Sequence, residues 1–206
     1  GETLTYAIRK FGMKAGETVI QYHGIVEDEG ESRILITFTA KGFNFLDDEK
    51  IFADPQTLLP VKVERDLNIF GKKEQIVERY DLQKNNVTIR KYQGGTFIEE
   101  IVFTKEEPID NLYCYIFRYR YQGRFAQGVT LRMPLPTKDV NFEILRRETI
   151  AAMGRRHDAW FMQSNPPEYQ VWFGTGDQKI PLRIDGAVGL AKTVMVLERY
   201  EKGKIE

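Results

Sequence analysis

The chain has 206 residues, with 30 basic and 30 acidic side chains and a formal net charge of zero. A nucleic-acid binder usually carries a basic surplus, and the absence of one here argues against that class. Plentiful aromatic and β-branched residues argue against disorder, and one domain of this size buries roughly 70% of its unfolded surface without a disulfide or metal staple. From the first residues onward the dominant pattern has period two, bounded by Gly, Pro, Asn and Asp. "ETLTYAIRKF" puts Leu4, Tyr6 and Ile8 on one face, and "GMKAG" turns the chain into "ETVIQYHGIV". After the polar turn "EDEGE", "SRILITFTAK" alternates Ile34, Ile36 and Phe38 against Arg33, Thr37 and Thr39. In "PVKVERDLNI", Val61, Val63 and Arg65 share one parity, and Lys62 and Glu64 the other. "EQIVERYDLQ" turns at "KNN" into "VTIRKYQ", and Gly94-Gly95 leads into "TFIEEIVF"; such Asn and Gly links are strong hairpin signals.

The second half continues in the same style. "RFAQGVTLRM" and "VNFEILRRETI" flank "PLPTK", and a turn at "MGRR" leads to "HDAWFMQS". "YQVWF" passes through "GTGDQK" to "IPLRID", and "LAKTVMVLERY" is the last long strand. The pattern gives about fourteen candidate strands with no internal repeat and no dividing linker, so one β domain over 1–206 is expected. Laid flat, that many strands would span roughly 65 Å at ~4.8 Å each. Open sheets beyond ~10 strands curl, split or close. The expected fold is mainly β: a strongly curved antiparallel sheet or open barrel, meander-like, with a concave face that something must fill.

The stretch "PIDNLYCYIFRYRYQG" supports two readings. As a strand it would align Tyr113, Tyr115, Phe117, Tyr119 and Tyr121 into an aromatic stripe suited to a ligand. As a helix over about 110–120 it gathers Ile109, Leu112, Tyr113, Ile116 and Phe117 on one face, with Asn111, Tyr115, Arg118 and Tyr119 pointing away. Asp110 offers an N-cap behind Pro108, and Gly123 lies just past the far end. Both end signals favour the helix, packed on the concave face of the sheet.

Four stretches carry a resemblance to a known family. "GETLTYAIRKFGMKAGE" is similar to its opening hairpin, and "FADPQTLLPVKVERD" to its Asp-x-x-Thr-Leu-x-Pro segment. "PIDNLYCYIFRYR" is similar to its single helix, and "VWFGTGDQKIPLRIDGAVGLAKTVMVLERY" to its closing hairpin. The family is domain-of-unknown-function family three-one-zero-eight, of uncharacterised bacterial exported proteins. The match spans nearly the whole chain, and "PLPTKDVNFEILRRETIAAMGRR" departs from it. The resemblance implies a periplasmic or otherwise exported, envelope-associated β protein of Gram-negative bacteria. It implies no activity.

The residues point to no catalytic, cofactor or metal site. His23, His157 and Cys114 are too few and too scattered for a zinc centre. Cys114, alone, forms no internal disulfide and reads as a buried thiol. His157 and Asp158, neighbours on a strand, point to opposite faces. Asp47, Asp48 and Glu49, and Glu99 and Glu100, read as solvated surface, and "GTGD" as a turn. No apolar run reaches the ~18 residues of a membrane helix. The abrupt start in a strand-like pattern is expected of a chain whose leader has been removed or trimmed.

One basic group stands out. Arg146, Arg147, Arg155 and Arg156 flank "ETIAAMG" with His157 nearby, and a hairpin there would gather them at one end of the sheet as a contact for anionic headgroups or an acidic partner. The function expected is that of a non-enzymatic envelope protein holding an apolar or lipid-like ligand in the curved sheet. The second reading is an interaction module of the envelope with a filled core, meeting a partner protein through edge strands or loops.

Overall fold

The computed structural model describes residues 1–10, 12–188 and 191–203. The first eight strands are β1 (Glu2–Lys10), β2 (Met13–Asp28), β3 (Glu31–Gly42), β4 (Phe45–Ala53), β5 (Pro60–Ile69), β6 (Lys72–Asp81), β7 (Asn86–Gln93) and β8 (Thr96–Thr104). One helix, α1 (Leu112–Gln122), follows. The remaining strands are β9 (Thr130–Leu135), β10 (Lys138–Ala152), β11 (Arg155–Asn165), β12 (Gln170–Gly174), β13 (Pro181–Val188) and β14 (Ala191–Lys202). All fourteen lie in one antiparallel sheet, in the order β8-β7-β6-β5-β4-β3-β2-β1-β14-β13-β12-β11-β10-β9.

That order is a continuous meander closed at the termini and cut in the middle. β1 pairs with β14, Glu2 opposite Lys202 and Arg9 opposite Val194. β8 and β9, joined through α1, are the two free ends of the sheet. The expected curved, unclosed antiparallel sheet with one short helix is the architecture found. The strand that alternation alone did not isolate is β4. Its inward positions include the buried acids Asp47 and Glu49, which break the apolar parity.

The concave face collects the inward parity of each strand: Tyr6 from β1, Ile36 and Phe38 from β3, Ile51 from β4, Phe142 from β10 and Phe173 from β12 are all buried. Helix α1 fills the concavity. Phe38 stacks on Tyr113 with ring centroids 4.7 Å apart, and Tyr22 meets Phe117 at 5.4 Å. From the other half of the sheet, Phe142 stacks on Tyr115 at 5.4 Å, and Phe173 meets Tyr119 edge-on at 5.9 Å. Pairs of this geometry add about 0.5–1.5 kcal/mol each beyond area burial.

Three expectations for the helix need correction. It begins two residues later than expected, and Asn111 is the cap: its side chain accepts from the amides of Tyr113 at 2.9 Å and Cys114 at 3.4 Å. Asp110 instead accepts from the amide of Asn111. Gly123 does close the helix, its N–H donating to the Tyr119 carbonyl, but at an ordinary φ of −75°. It is needed because a Cβ there would run into Tyr119. Finally, Tyr115 and Tyr119, expected to face away, are buried together with Ile109, Tyr113, Ile116 and Phe117, while Leu112 is half-buried against the same core. A one-sided stripe suits a helix lying on a surface. This helix is wrapped by the sheet and buries most of its circumference.

The polar residues of α1 are paired inside. Arg120, 1% exposed, holds Glu2 with contacts of 2.6 and 3.1 Å and also donates to the Gln178 carbonyl. Burial alone would raise the Glu2 carboxyl, but Arg120 holds it below its ordinary value. The helix is thereby tied to the junction where the first and last strands meet.

Candidate functional site: the open seam

The seam between β8 and β9 is where the sheet stops, and its two lips differ. β9 is short, its Met133 and Pro134 are buried, and a strap of residues 105–111 runs beside it. The amide of Asp110 donates to the Pro134 carbonyl at 2.7 Å. Arg132 lies 2.8 Å from the Glu107 carboxylate, and Lys105 reaches Asp139 of β10 at 2.6 Å. At its other side the strap is held by Asn85, whose side chain donates to the Glu106 carbonyl.

β8 has no such cover. It is hydrogen-bonded to β7 alone, and none of its nine residues is buried. Phe97, Ile98 and Val102 are each more than half exposed. Its two acids are surface groups, as expected: Glu99 pairs with Lys91 and Glu100 with Arg90, each at 2.6 Å. In an antiparallel edge strand about half of the backbone N–H and C=O groups face outward without a neighbour. Natural edges are usually blunted by Pro, Lys, a bulge or a cover; "TFIEEIVFT" contains neither Pro nor Lys, and its one irregularity is a register shift at Ile98, near the β7–β8 turn, which leaves 99–104 regularly paired with β7.

Between the strap, the end of β9 and strands β4–β6 lies a polar cleft of about 180 Å³. One wall is inward-facing β4, β5 and β6, with Asp47, Glu49, Arg65, Glu78 and Tyr80; the other is Leu135, Pro136 and Tyr169, with the start of α1 between. Arg65 forks onto Asp47 at 2.7 and 2.6 Å and approaches Glu49 at 3.2 Å. Asp47 and Glu49 are thus buried, not the solvated surface that their adjacency suggested; Asp48 between them is exposed. Burial pushes the Glu49 carboxyl up to about 8, with Arg65 opposing and Asp47 and Glu78 adding. Burial also raises Glu78 and Asp110, the latter against its ion pair with Arg118. Burial thus favours the protonated form of Glu49. No group of three or more metal-ligating side chains is positioned for an ion among the described residues.

The basic group singled out by sequence is dispersed. The β10–β11 hairpin forms, but Arg146 and Arg147 stand mid-strand on opposite faces, stacked 4.5 Å over Phe161 and Trp160 respectively. Arg146 also pairs with Glu148. Only Arg155 and Arg156 lie at the hairpin end, lining a broad depression with His157 and the 174–178 turn, where Asp158 and Asp177 balance them. Cys114 is fully buried, and burial pushes its thiol well up. The open edge at β8 went unread, because alternation identifies a strand without telling whether it has one neighbour or two.

No helix among the described residues is long and apolar enough to cross a membrane. A comparison with curated proteins finds no match. Among solved structures, the chain is similar to a β-barrel-like protein of the DUF1849 family from Brucella abortus, with 7% identity, a TM-score of 0.55 and 98% of each chain covered. A protein with a YmcC-like fold from Bacteroides fragilis matches at 12% identity and a TM-score of 0.37, over 98% of this chain and 96% of that one. The first likeness concerns the fold alone. The model of the family described as "Protein of unknown function (DUF3108)" matches residues 3–196, nearly the whole sheet and its helix, and the chain belongs to that family.

Proposed function

We propose that the chain is a non-enzymatic, exported interaction module of the bacterial cell envelope, which adds a partner protein's strand to the β8 edge. The observation that carries this reading is the contrast within the seam: the concave side is filled by α1, while β8 pairs with β7 alone and has no fully buried residue. An apolar or lipid-like ligand would need the volume that Tyr113, Tyr115, Phe117 and Tyr119 occupy. The periplasmic location rests on the family resemblance.

Strand addition supplies affinity through main-chain hydrogen bonds and specificity through alternate side chains. Phe97, Ile98 and Val102 are the side chains that an incoming strand would meet. The test is recovery of a stoichiometric partner from envelope extract with tagged protein and with Val102→Lys. The partner is expected with the first and lost with the second, at unchanged melting temperature. Equal recovery with both, or a lipid retained stoichiometrically in native mass spectra, overturns the proposal.

A further inference from the structure

The two long rims of the sheet formed by β1 to β8 differ: large exposed apolar side chains stand at the turns of one of them. At one rim the turns are β2–β3 at Glu29-Gly30, β4–β5 at 54–59 and β6–β7 at 82–85. These carry Asp28, Glu29, Glu31, Asp54 and Asp81. At the other rim the hairpins β1–β2, β3–β4, β5–β6 and β7–β8 present Met13, Phe43, Phe70 and Phe97 beside their turns. These side chains are 70%, 86%, 73% and 54% exposed. With Ile98 they make five of the eight large apolar side chains that stand in solvent among the described residues.

The aromatic rim is also basic. Lys41 precedes Phe43 by two residues, and Lys72 and Lys73 follow Phe70; all three are exposed, with no ion-pair partner among the described residues. Lys10 and Lys14 flank the first turn, Lys14 sharing Glu17 and Glu198. The tips are neighbours: the Phe70 amide donates to the Asn44 carbonyl at 2.8 Å, and Phe70, Lys72, Lys73, Glu74 and Gln93 line one groove. Phe70 sits in a left-handed position, φ 51°, followed by Gly71 at 82°. Asn fits the first place of such a turn better than a bulky ring. The ring is held outward where local preference favours another residue.

The acids at the first rim are mostly paired with Arg33, Lys62, Arg79 and Lys84, whereas the aromatic rim keeps lysines that have no ion-pair partner among the described residues. We propose that the rim of hairpin tips centred on Phe43 and Phe70 docks on the surface of an anionic phospholipid bilayer, the rings entering the headgroup layer and Lys41, Lys72 and Lys73 meeting the lipid charges. Aromatic and apolar side chains favour the interfacial layer, and lysines near it are drawn to anionic lipid. The acidic rim would then face away from the membrane.

Flotation with vesicles of phosphatidylethanolamine and phosphatidylglycerol, against pure phosphatidylcholine, tests the proposal. The intact protein is expected to float with the anionic vesicles and to be released in high salt. Phe43→Ser with Phe70→Ser, and separately Lys72→Glu with Lys73→Glu, are expected to weaken partitioning at least about tenfold. Ile25→Ser, which removes an exposed side chain from β2 toward the acidic rim, is expected to change nothing. All these positions are exposed, so folding is retained. Failure to float, equal flotation on both vesicles, or tip variants that float like the unmodified protein overturns it. The β8 proposal is unaffected, since its test reads a protein partner and Val102 lies away from the tips.

Discussion

β8 and β9 end the same sheet, yet one lip is sealed and the other is bare. β9 places Met133 and Pro134 in the core, gives a carbonyl to Asp110 and carries the strap along its flank. β8 has no fully buried residue, only Phe103 half-buried against the core, and touches solvent with Phe97, Ile98 and Val102. Both lips face the same problem, unpaired backbone groups at an edge. The chain spends a covering segment on one and leaves the other without it. The contrast teaches that the opening is one-sided: the strap and α1 are anchored to the β9 lip, and β8 is the surface left for another molecule.

The largest effect is expected where the seal is buried. Asp110→Ala removes the carboxylate that holds Arg118 and caps the Asn111 amide. It should cost about 2–3 kcal/mol in urea unfolding, because a mostly buried cation loses its partner. It should also make residues 105–111 susceptible to proteolysis, turning β9 into a second bare edge. Full stability with an unchanged digestion pattern would break the comparison.

Next comes the cleft between β4–β6 and the end of β9. In the unfolded chain Glu49 titrates near its ordinary value of 4.5, and in the fold near 8. Between these values the folded protein keeps a proton that the unfolded chain has lost. The contribution of this group is complete below pH 4.5 and is lost as the pH climbs through about 8. Glu49→Gln should therefore match the unmodified protein at pH 4.5 and melt at least about 3 °C higher above pH 8, the shift of roughly 1 kcal/mol in a chain of this size. An equal difference at both pH values would show that Glu49 titrates normally.

A smaller effect is expected at the cap. Asn111→Ala should cost about 1 kcal/mol, with Asn111→Asp close to neutral, as read by thermal melting. The smallest belongs to the bare lip itself: Val102→Lys should change stability by no more than about 0.5 kcal/mol. A large loss there would mean that β8 is packed rather than free.

Much of this architecture was legible from alternation. Ile34, Ile36 and Phe38 declare the inward face of β3 without help from tertiary context, and the end signals announce a helix before Gly123, although its cap is Asn111 and not Asp110. Legibility failed where a polar group is satisfied from afar. Asp47 and Glu49 look like surface because their compensating Arg65 lies on the next strand, 18 and 16 residues away in sequence. Tyr115 and Tyr119 look outward because an amphipathic stripe is judged against one neighbouring surface, and here Phe142 and Phe173 close in from the other side. The scattered arginines misled in the opposite sense: adjacency at Arg146 and Arg147 sends the two to opposite faces of β10.

Site-specific photo-crosslinking in intact cells tests the one-sided seam most directly, with the reactive side chain placed at Val102 on β8 or at Thr130 on β9. Both positions are exposed, so surface access is matched. A discrete protein adduct from Val102 and none from Thr130 is the predicted result. Adducts from both positions alike, from Thr130 alone, or from neither would contradict it.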